Sequence, residues 1–433
     1  MSILALAAFP AAGHASLPEF LPAQPAGFSA RFDEAIALDD SGRTAVVGTS
    51  FDRRDFRLKV ATGSLDAGFA PERELAHIAR GWADDPQVVW AADGTVLVAW
   101  AQQAGRGSTI QYSFRTSGGQ FGKPRTLAAV SSASGAQLRL SADPRGSVLA
   151  VWRDARLFAR RSRLRAARWP GGNAVSFDRT QLVTSDGVYP SVVATGRRRW
   201  MITWAGGPQR ARNGFAARFD RSVARPVRLG PVVASTFTRG IRMTSGSDGT
   251  VIAAWLRREG RSVMAGEAQL RVLSPVLGRV HDLADQRSRA VPSIALGSGQ
   301  VLAATRGVPA DGRHAAVLAG LAPSSGPFSA FGAVDGTRGG QGPGGPVRAA
   351  WTPDGPLLSW LGYSPGPCGK PVCLSIWPVR VASPRASGGF DVATVGVAGR
   401  TTGLQVASSR AGTLIAWRDD AGQLVTAAAP AAR

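Results

Sequence analysis

Histidine, cysteine, lysine, tyrosine and glutamate are all scarce in this sequence: its 433 residues hold four His, two Cys, three Lys, three Tyr and six Glu. That scarcity removes whole classes of chemistry. His14, His77, His281 and His314 fall far apart, without the spacing of a zinc ligand set. Cys368 and Cys373 have four residues between them in PCGKPVC, where a redox pair has two, and neither has a further thiol or imidazole close by to share a metal. An even count in an exported chain reads instead as a structural disulfide between them. The elbow GxSxG, the zinc motif HExxH, a phosphate loop ending in Lys-Ser or Lys-Thr and the calcium loop DxDxDG are all missing. The pairs Asp39-Asp40, Asp84-Asp85 and Asp419-Asp420 fall short of a cation site and read as solvated turns. No catalytic residue, metal or cofactor is therefore expected. Beyond the N-terminus no apolar run approaches the ~20 residues of a membrane helix, so no transmembrane segment is expected either.

Arginine, glycine and apolar residues fill the space. Of 51 basic residues 48 are Arg, the net charge is +22, and 44% of the chain is hydrophobic against 18% charged. A core of useful size can form, and a field of that sign attracts polyanions. The opening MSILALAAFPAAGHAS has an apolar run ending in small residues, without a basic start. It reads as a signal peptide, residues 1–15, leaving residues 16–433 as one secreted domain. The 53 Gly and 28 Pro suit many short strands joined by turns.

Those turns recur. The units ALDDSGRTAVVG, WAADGTVLVAW, SADPRGSVLAVW, VATGRRRWMITW, SGSDGTVIAAW, ALGSGQVLAAT, WTPDGPLLSW and ASSRAGTLIAW align on Gly42, Gly94, Gly146, Gly196, Gly249, Gly299, Gly355 and Gly412. The steps are 52, 52, 50, 53, 50, 56 and 57 residues, the length of a propeller blade. Each unit continues into a third strand such as TIQYSFR and a fourth such as FGKPRTLAA. The second strand, TVLVAW or SVLAVW, is apolar at every position, as a strand covered on both faces must be. Trp100, Trp152, Trp204, Trp255, Trp360 and Trp417 end that strand and read as wedges between blades rather than as a sugar platform. After Gly412 only 21 residues remain, too few for a fourth strand, and EFLPAQPAGF from the N-terminus fits the gap. The expectation is an all-β, single β-propeller of four-stranded antiparallel blades, eight in number or seven if the Trp-less sixth unit is degenerate, closed by the N-terminal strand.

The repeated DG-x-x-x-VAW phrase with its following Gly-Gly-x-Phe segment resembles the uncharacterised secreted β-propeller repeat proteins of bacteria. More distantly the chain is similar in fold to sialidases. The Asp-box Ser-x-Asp-x-Gly-x-Thr-Trp of that family is missing, and its Tyr-Glu nucleophile pair finds little counterpart in Tyr112, Tyr189, Tyr363 and six Glu. The resemblance implies architecture and no catalysis.

Loops between second and third strands open on one face of a propeller, together with the links between blades. These loops carry 18 basic and 7 acidic residues, a surplus of 11. Arg153, Arg156, Arg257, Arg258, Arg306 and Arg418 stand where strands leave the ring and are the candidate ligands, since the guanidinium fork suits carboxylate and phosphate. The expected function is a non-enzymatic binding or surface-interaction module, a monomer whose partner is an anionic polysaccharide or another extracellular polyanion. Specific nucleic-acid recognition is not expected, because no recognition helix or aromatic-basic interleaving is evident. A solvated, charge-solubilised surface is the competing explanation of the Arg excess. A carbohydrate-active hydrolase or lyase with its site in the central funnel is the competing function.

Overall fold

The computed structural model describes residues 17–29, 33–52, 55–105, 107–155, 162–172, 174–208, 211–234, 240–258, 266–288, 290–307, 316–324, 332–334, 344–362, 364–365, 375–385, 387–399 and 403–431. Its eight four-stranded antiparallel blades form a β-propeller, and the helical content described is confined to 3-10 turns such as Ala133–Gly135. Blade 2 shows the plan: Gly81–Trp90, Val96–Ala104, Gly107–Arg115 and Arg125–Val130 pair in sequence order. The eight first strands are Glu34–Leu38, Gly81–Trp90, Arg139–Ala142, Val188–Gly196, Ile241–Ser245, Ser293–Gly297, Gly344–Thr352 and Leu404–Ser409. Each touches the next, and the eighth touches the first, so the ring is closed.

The turn joining first and second strands explains the aligned glycines. All eight anchors adopt φ between +70° and +151°, where a side chain is strained. In four of these turns an aspartate locks the loop by accepting backbone N–H groups: Asp39 from Arg43, Asp93 from Thr95, Asp143 from Ser147 and Asp248 from Thr250, at 2.8–2.9 Å.

Packing follows the two faces of the second strand. In blade 2, Val96, Val98 and Trp100 join Ala45, Val47 and Leu58 of blade 1, while Leu97, Ala99 and Ala101 join Val148, Ala150 and Trp152 of blade 3. Every neighbouring pair of blades encloses such a cluster. The six strand-ending Trp residues are 0–2% exposed, and each packs against the preceding blade, so they are wedges. Blades 1 and 6 carry Thr49 and Thr305 at that place. Thr305 bonds Ser288 Oγ at 2.6 Å and donates to Ala290 O at 2.9 Å. There a backbone bridge, Ser288 to Gly307, merges blades 5 and 6 into one continuous sheet.

The last blade is completed from the N-terminus. Gln24–Ser29 pairs antiparallel with Gln423–Pro430, Gln24 facing Thr426, and Leu21 N–H donates to Ala428 O at 2.8 Å. This strand is outermost, where Pro25 costs no inner ladder bond. Its Ala26 is buried with Val46, Ala61, Ala416 and Leu424, joining blade 8 to blade 1. Residues 1–16, the expected signal segment, lie outside the described residues, as do Cys368 and Cys373 and the Gly-rich stretch 335–343.

Trp152→Ala is expected to cost about 3–5 kcal/mol, as for other large aromatics cut from a packed interior, read from the urea midpoint. A chain lacking residues 1–29 leaves the third strand of blade 8 as an open edge. It is expected to melt well below the intact protein and to aggregate, as checked by calorimetry and size-exclusion chromatography.

Candidate functional site: the loop-face mouth of the channel

First strands line the axis, and their inner edges have no further strand to pair with. One register position recurs there. Glu34, Gln87, Arg139, Ser191, Arg242, Ser293, Arg348 and Gln405 each lie opposite the residue just before the Trp position of the second strand. All eight are polar, one per blade. Several reach the adjoining first strand: Arg348 Nε donates to Leu404 O at 2.8 Å, Gln405 Nε2 to Glu34 O at 3.4 Å, and Ala349 N–H to Ser293 Oγ at 2.9 Å. The belt thus satisfies backbone groups at the axis and staples blade to blade.

At the loop-face end of this belt the charges separate by blade. Blades 1 and 2 supply Asp33, Glu34, Asp84 and Asp85. Glu34 is buried and faces Arg418 Nε at 3.4 Å. Asp85, in a left-handed conformation (φ 49°), pairs with Arg139 of blade 3 at 3.5 Å. Asp84 is pushed up to about 8 by burial, by its hydrogen bond with Asp33 and by the charges of Asp85 and Asp33. It therefore holds a proton at neutral pH, which it can donate toward Asp33. Among the described residues no group of three His, Cys, Asp or Glu side chains is disposed to hold a metal. Asp39 and Asp419 are taken up in their own turns, Asp419 Oδ1 accepting Gln423 N–H at 2.8 Å.

Blades 3 and 4 supply the opposite sign. Arg153, closing the second strand of blade 3, is 8% exposed, and its Nε finds no acceptor. Burial, and then the nearby Arg212 charge, hold it below the ordinary arginine range, while Tyr189 works the other way. Arg212, from the loop of blade 4, donates to Ala234 O at 2.7 Å and stands 5.7 Å over the Tyr189 ring. Tyr189 N–H donates to Gln137 Oε1 at 2.6 Å, and both residues have positive φ, 53° and 47°.

The remaining Arg residues expected from the sequence are spread around the ring. Arg156 lies outside the described residues. Arg257 is bonded to Glu267 on the neighbouring third strand, and Arg258 follows it half-buried. Arg306 is half-buried near the end of the second strand of blade 6, and Arg418 holds Glu34. Four strand ends thus present arginine to one face without converging on one point. Gln137, Tyr189, Arg212, Asp33 and the Asp84 proton were not among the expected ligands. The belt did leave a trace: a polar residue stands five to eight positions before each anchor glycine.

No family description and no curated protein matches the sequence. Solved structures give distant likenesses. An ulvan-degrading polysaccharide lyase is 9% identical, with 75% of this chain and 88% of that one covered and a TM-score of 0.47. An acylaminoacyl peptidase of Pyrococcus horikoshii is 9% identical, with 90% of this chain and 58% of the peptidase covered and a TM-score of 0.47. An α-L-arabinofuranosidase of Fusarium graminearum is 11% identical, with 67% and 92% covered and a TM-score of 0.39. Likenesses of this size carry no inference about activity or ligand.

The Asp84 proton gives a pH dependence. The native state keeps it up to about pH 8, whereas the unfolded chain loses it near the ordinary value of 3.8. The stabilising contribution is therefore full below about pH 4 and is lost as the pH rises to about 8. Asp84→Asn keeps a donor toward Asp33 and cannot ionise. It is expected to melt near the parent at pH 5 and about 3 °C or more above it at pH 8, by calorimetry across that range.

Proposed function

We propose that the protein is an exported, non-enzymatic β-propeller that binds an acidic polysaccharide or a similar extracellular polyanion on its loop face. The observation that carries this reading is the charge balance at the channel mouth. Glu34 faces Arg418, Asp85 faces Arg139, and Asp84 is protonated, whereas Arg153 and Arg212 have no carboxylate partner among the described residues. Positive charge left over at the channel mouth favours an anion from outside. Arg257, Arg258 and Arg306, with Arg156 on its loop, are then peripheral contacts that lengthen the footprint along a chain-like ligand. The reading includes export by residues 1–15, a Cys368–Cys373 staple, a monomeric state and kinship with the secreted bacterial propeller repeat proteins. A hydrolase or lyase remains the competing function. The carboxyl pair at the mouth, Asp33 with Asp84, is in hydrogen-bond contact, closer than the ~5–9 Å separations of glycosidase pairs.

Residues 16–433 are expected to bind heparin and polygalacturonate at 20 mM NaCl and to lose affinity steeply by 300 mM, as charge-driven association does. Titration calorimetry at several salt concentrations checks it. No binding at 20 mM NaCl overturns the proposal, and equal affinity for duplex DNA of matched charge reduces it to unselective attraction.

A further inference from the structure

We infer that Arg153, Arg212 and Tyr189 form a preorganised subsite for a single oxyanion group, a carboxylate or sulfate, carried by an acidic saccharide. This rests on the polyanion reading and narrows it to one point on the loop face.

The argument begins with an unbalanced charge. The Arg153 side chain is more than nine-tenths buried, its Nε is unpartnered, and no ion pair or side-chain hydrogen bond reaches it among the described residues. Its Nε has lost its hydration without gaining an acceptor, which a fold tolerates only where something else compensates. The Arg212 guanidinium, of like sign, lies within electrostatic reach and makes the imbalance worse. Two cations set against each other without an acid between them are the arrangement expected of a site that is complete only with an anion in it. Arg43, on the opposite face, makes the contrast, its guanidinium being paired with Asp39 at 2.5 Å.

The surroundings hold these groups in place. Arg212 is tethered through Ala234 O and stands over the Tyr189 ring, which fixes the fork. The Tyr189 backbone is held left-handed by Gln137, and Gly240 closes on its other side, where an added Cβ would come within 2.9 Å of the Tyr189 Cβ. A bulky residue in that region is an outlier that functional sites tend to contain. With its backbone so fixed, the Tyr189 ring lies under Arg212 and within electrostatic reach of Arg153, and no described group bonds its hydroxyl. Its O–H can donate to an oxyanion that the two guanidinium forks grip. Three donors of fixed geometry suit a carboxylate or a sulfate, and the position on the loop face suits a group borne on a longer chain.

The test uses the mature chain, with sodium glucuronate and sodium sulfate as separate probes against sodium chloride at equal ionic strength. Stability is followed by thermal melting and affinity by calorimetry. The intact protein is expected to melt higher with glucuronate or sulfate than with chloride; which of the two binds more tightly identifies a carboxylated or a sulfated ligand. Arg153→Gln is expected to melt at or above the parent without ligand, because an unpaired buried charge is gone, and to lose affinity for the probe at least tenfold. Sulfate also stabilises proteins by exclusion from their surface, an effect the variant retains and therefore subtracts. Tyr189→Phe is expected to fold unchanged and to bind about threefold more weakly, the loss of one donor. Should Arg153→Gln fail to fold, Tyr189→Phe and Arg212→Gln decide the matter. Undiminished affinity in the folded variants, or no preference for either probe over chloride in the parent, overturns the subsite. Polymer binding that survives in Arg153→Gln while the small anions do not bind the parent overturns the subsite and leaves the wider reading standing. Loss of polymer binding in the parent overturns both.

Discussion

A strand that is apolar on both faces cannot end a stack, and this constraint governs the whole molecule. Val96, Val98 and Trp100 demand a blade on one side, and Leu97, Ala99 and Ala101 demand another on the other. Repeated eight times, the demand has no solution in an open row, since the terminal sheets would show a bare apolar face. A ring satisfies it, provided the eighth sheet is whole. The borrowed N-terminal strand makes it whole, and its Ala26 sits in the smallest of the eight clusters. At the two junctions without a Trp wedge other means hold the blades: the seam uses this strand, and blades 5 and 6 use the Thr305–Ser288 bonds and the shared sheet.

The same geometry creates the candidate site. Closing a ring leaves the inner edges of eight strands facing a channel, with backbone groups that still need partners. The polar belt supplies them, and once polar side chains are obligatory at the axis their charges become free to vary. Blade 1 uses the acid Glu34, whereas blades 3, 5 and 7 use Arg139, Arg242 and Arg348. Glu34, Asp85 and Asp84 are each met by a neighbour or a proton, which leaves Asp33 on one side and Arg153 and Arg212 on the other, and the mouth acquires a direction.

The architecture was legible because its signals are local and recur. A glycine at positive φ and a following apolar strand look the same in every unit, so eight imperfect copies reinforce one another. The N-terminal strand was legible by subtraction, from the shortness of the last unit. The candidate site was only partly so. A tally of loop charges counted Arg257 and Arg418 as available, because the acids that occupy them, Glu267 and Glu34, sit on strands outside the loops. Arg153 was counted as one loop charge among many, but its burial involves the link that leaves blade 2, where Ala136 O accepts its backbone N–H. Tyr189, Gln137 and the proton on Asp84 owe their roles to contacts between residues some fifty positions apart, such as Gln137 with Tyr189, and such contacts write no motif.

The shared last sheet also sets an order of events. Gln24 and Thr426 are 402 positions apart, so on a growing chain the first strand emerges long before its partner exists. Seven blades can condense as they appear, each resting on the one before, while the leading segment waits without a sheet of its own. By then the packed blades hold the two ends of the ring near each other, so the leading strand needs only to dock on the last sheet. Assembly of this molecule is therefore a zipper with a clasp, and the clasp fastens last.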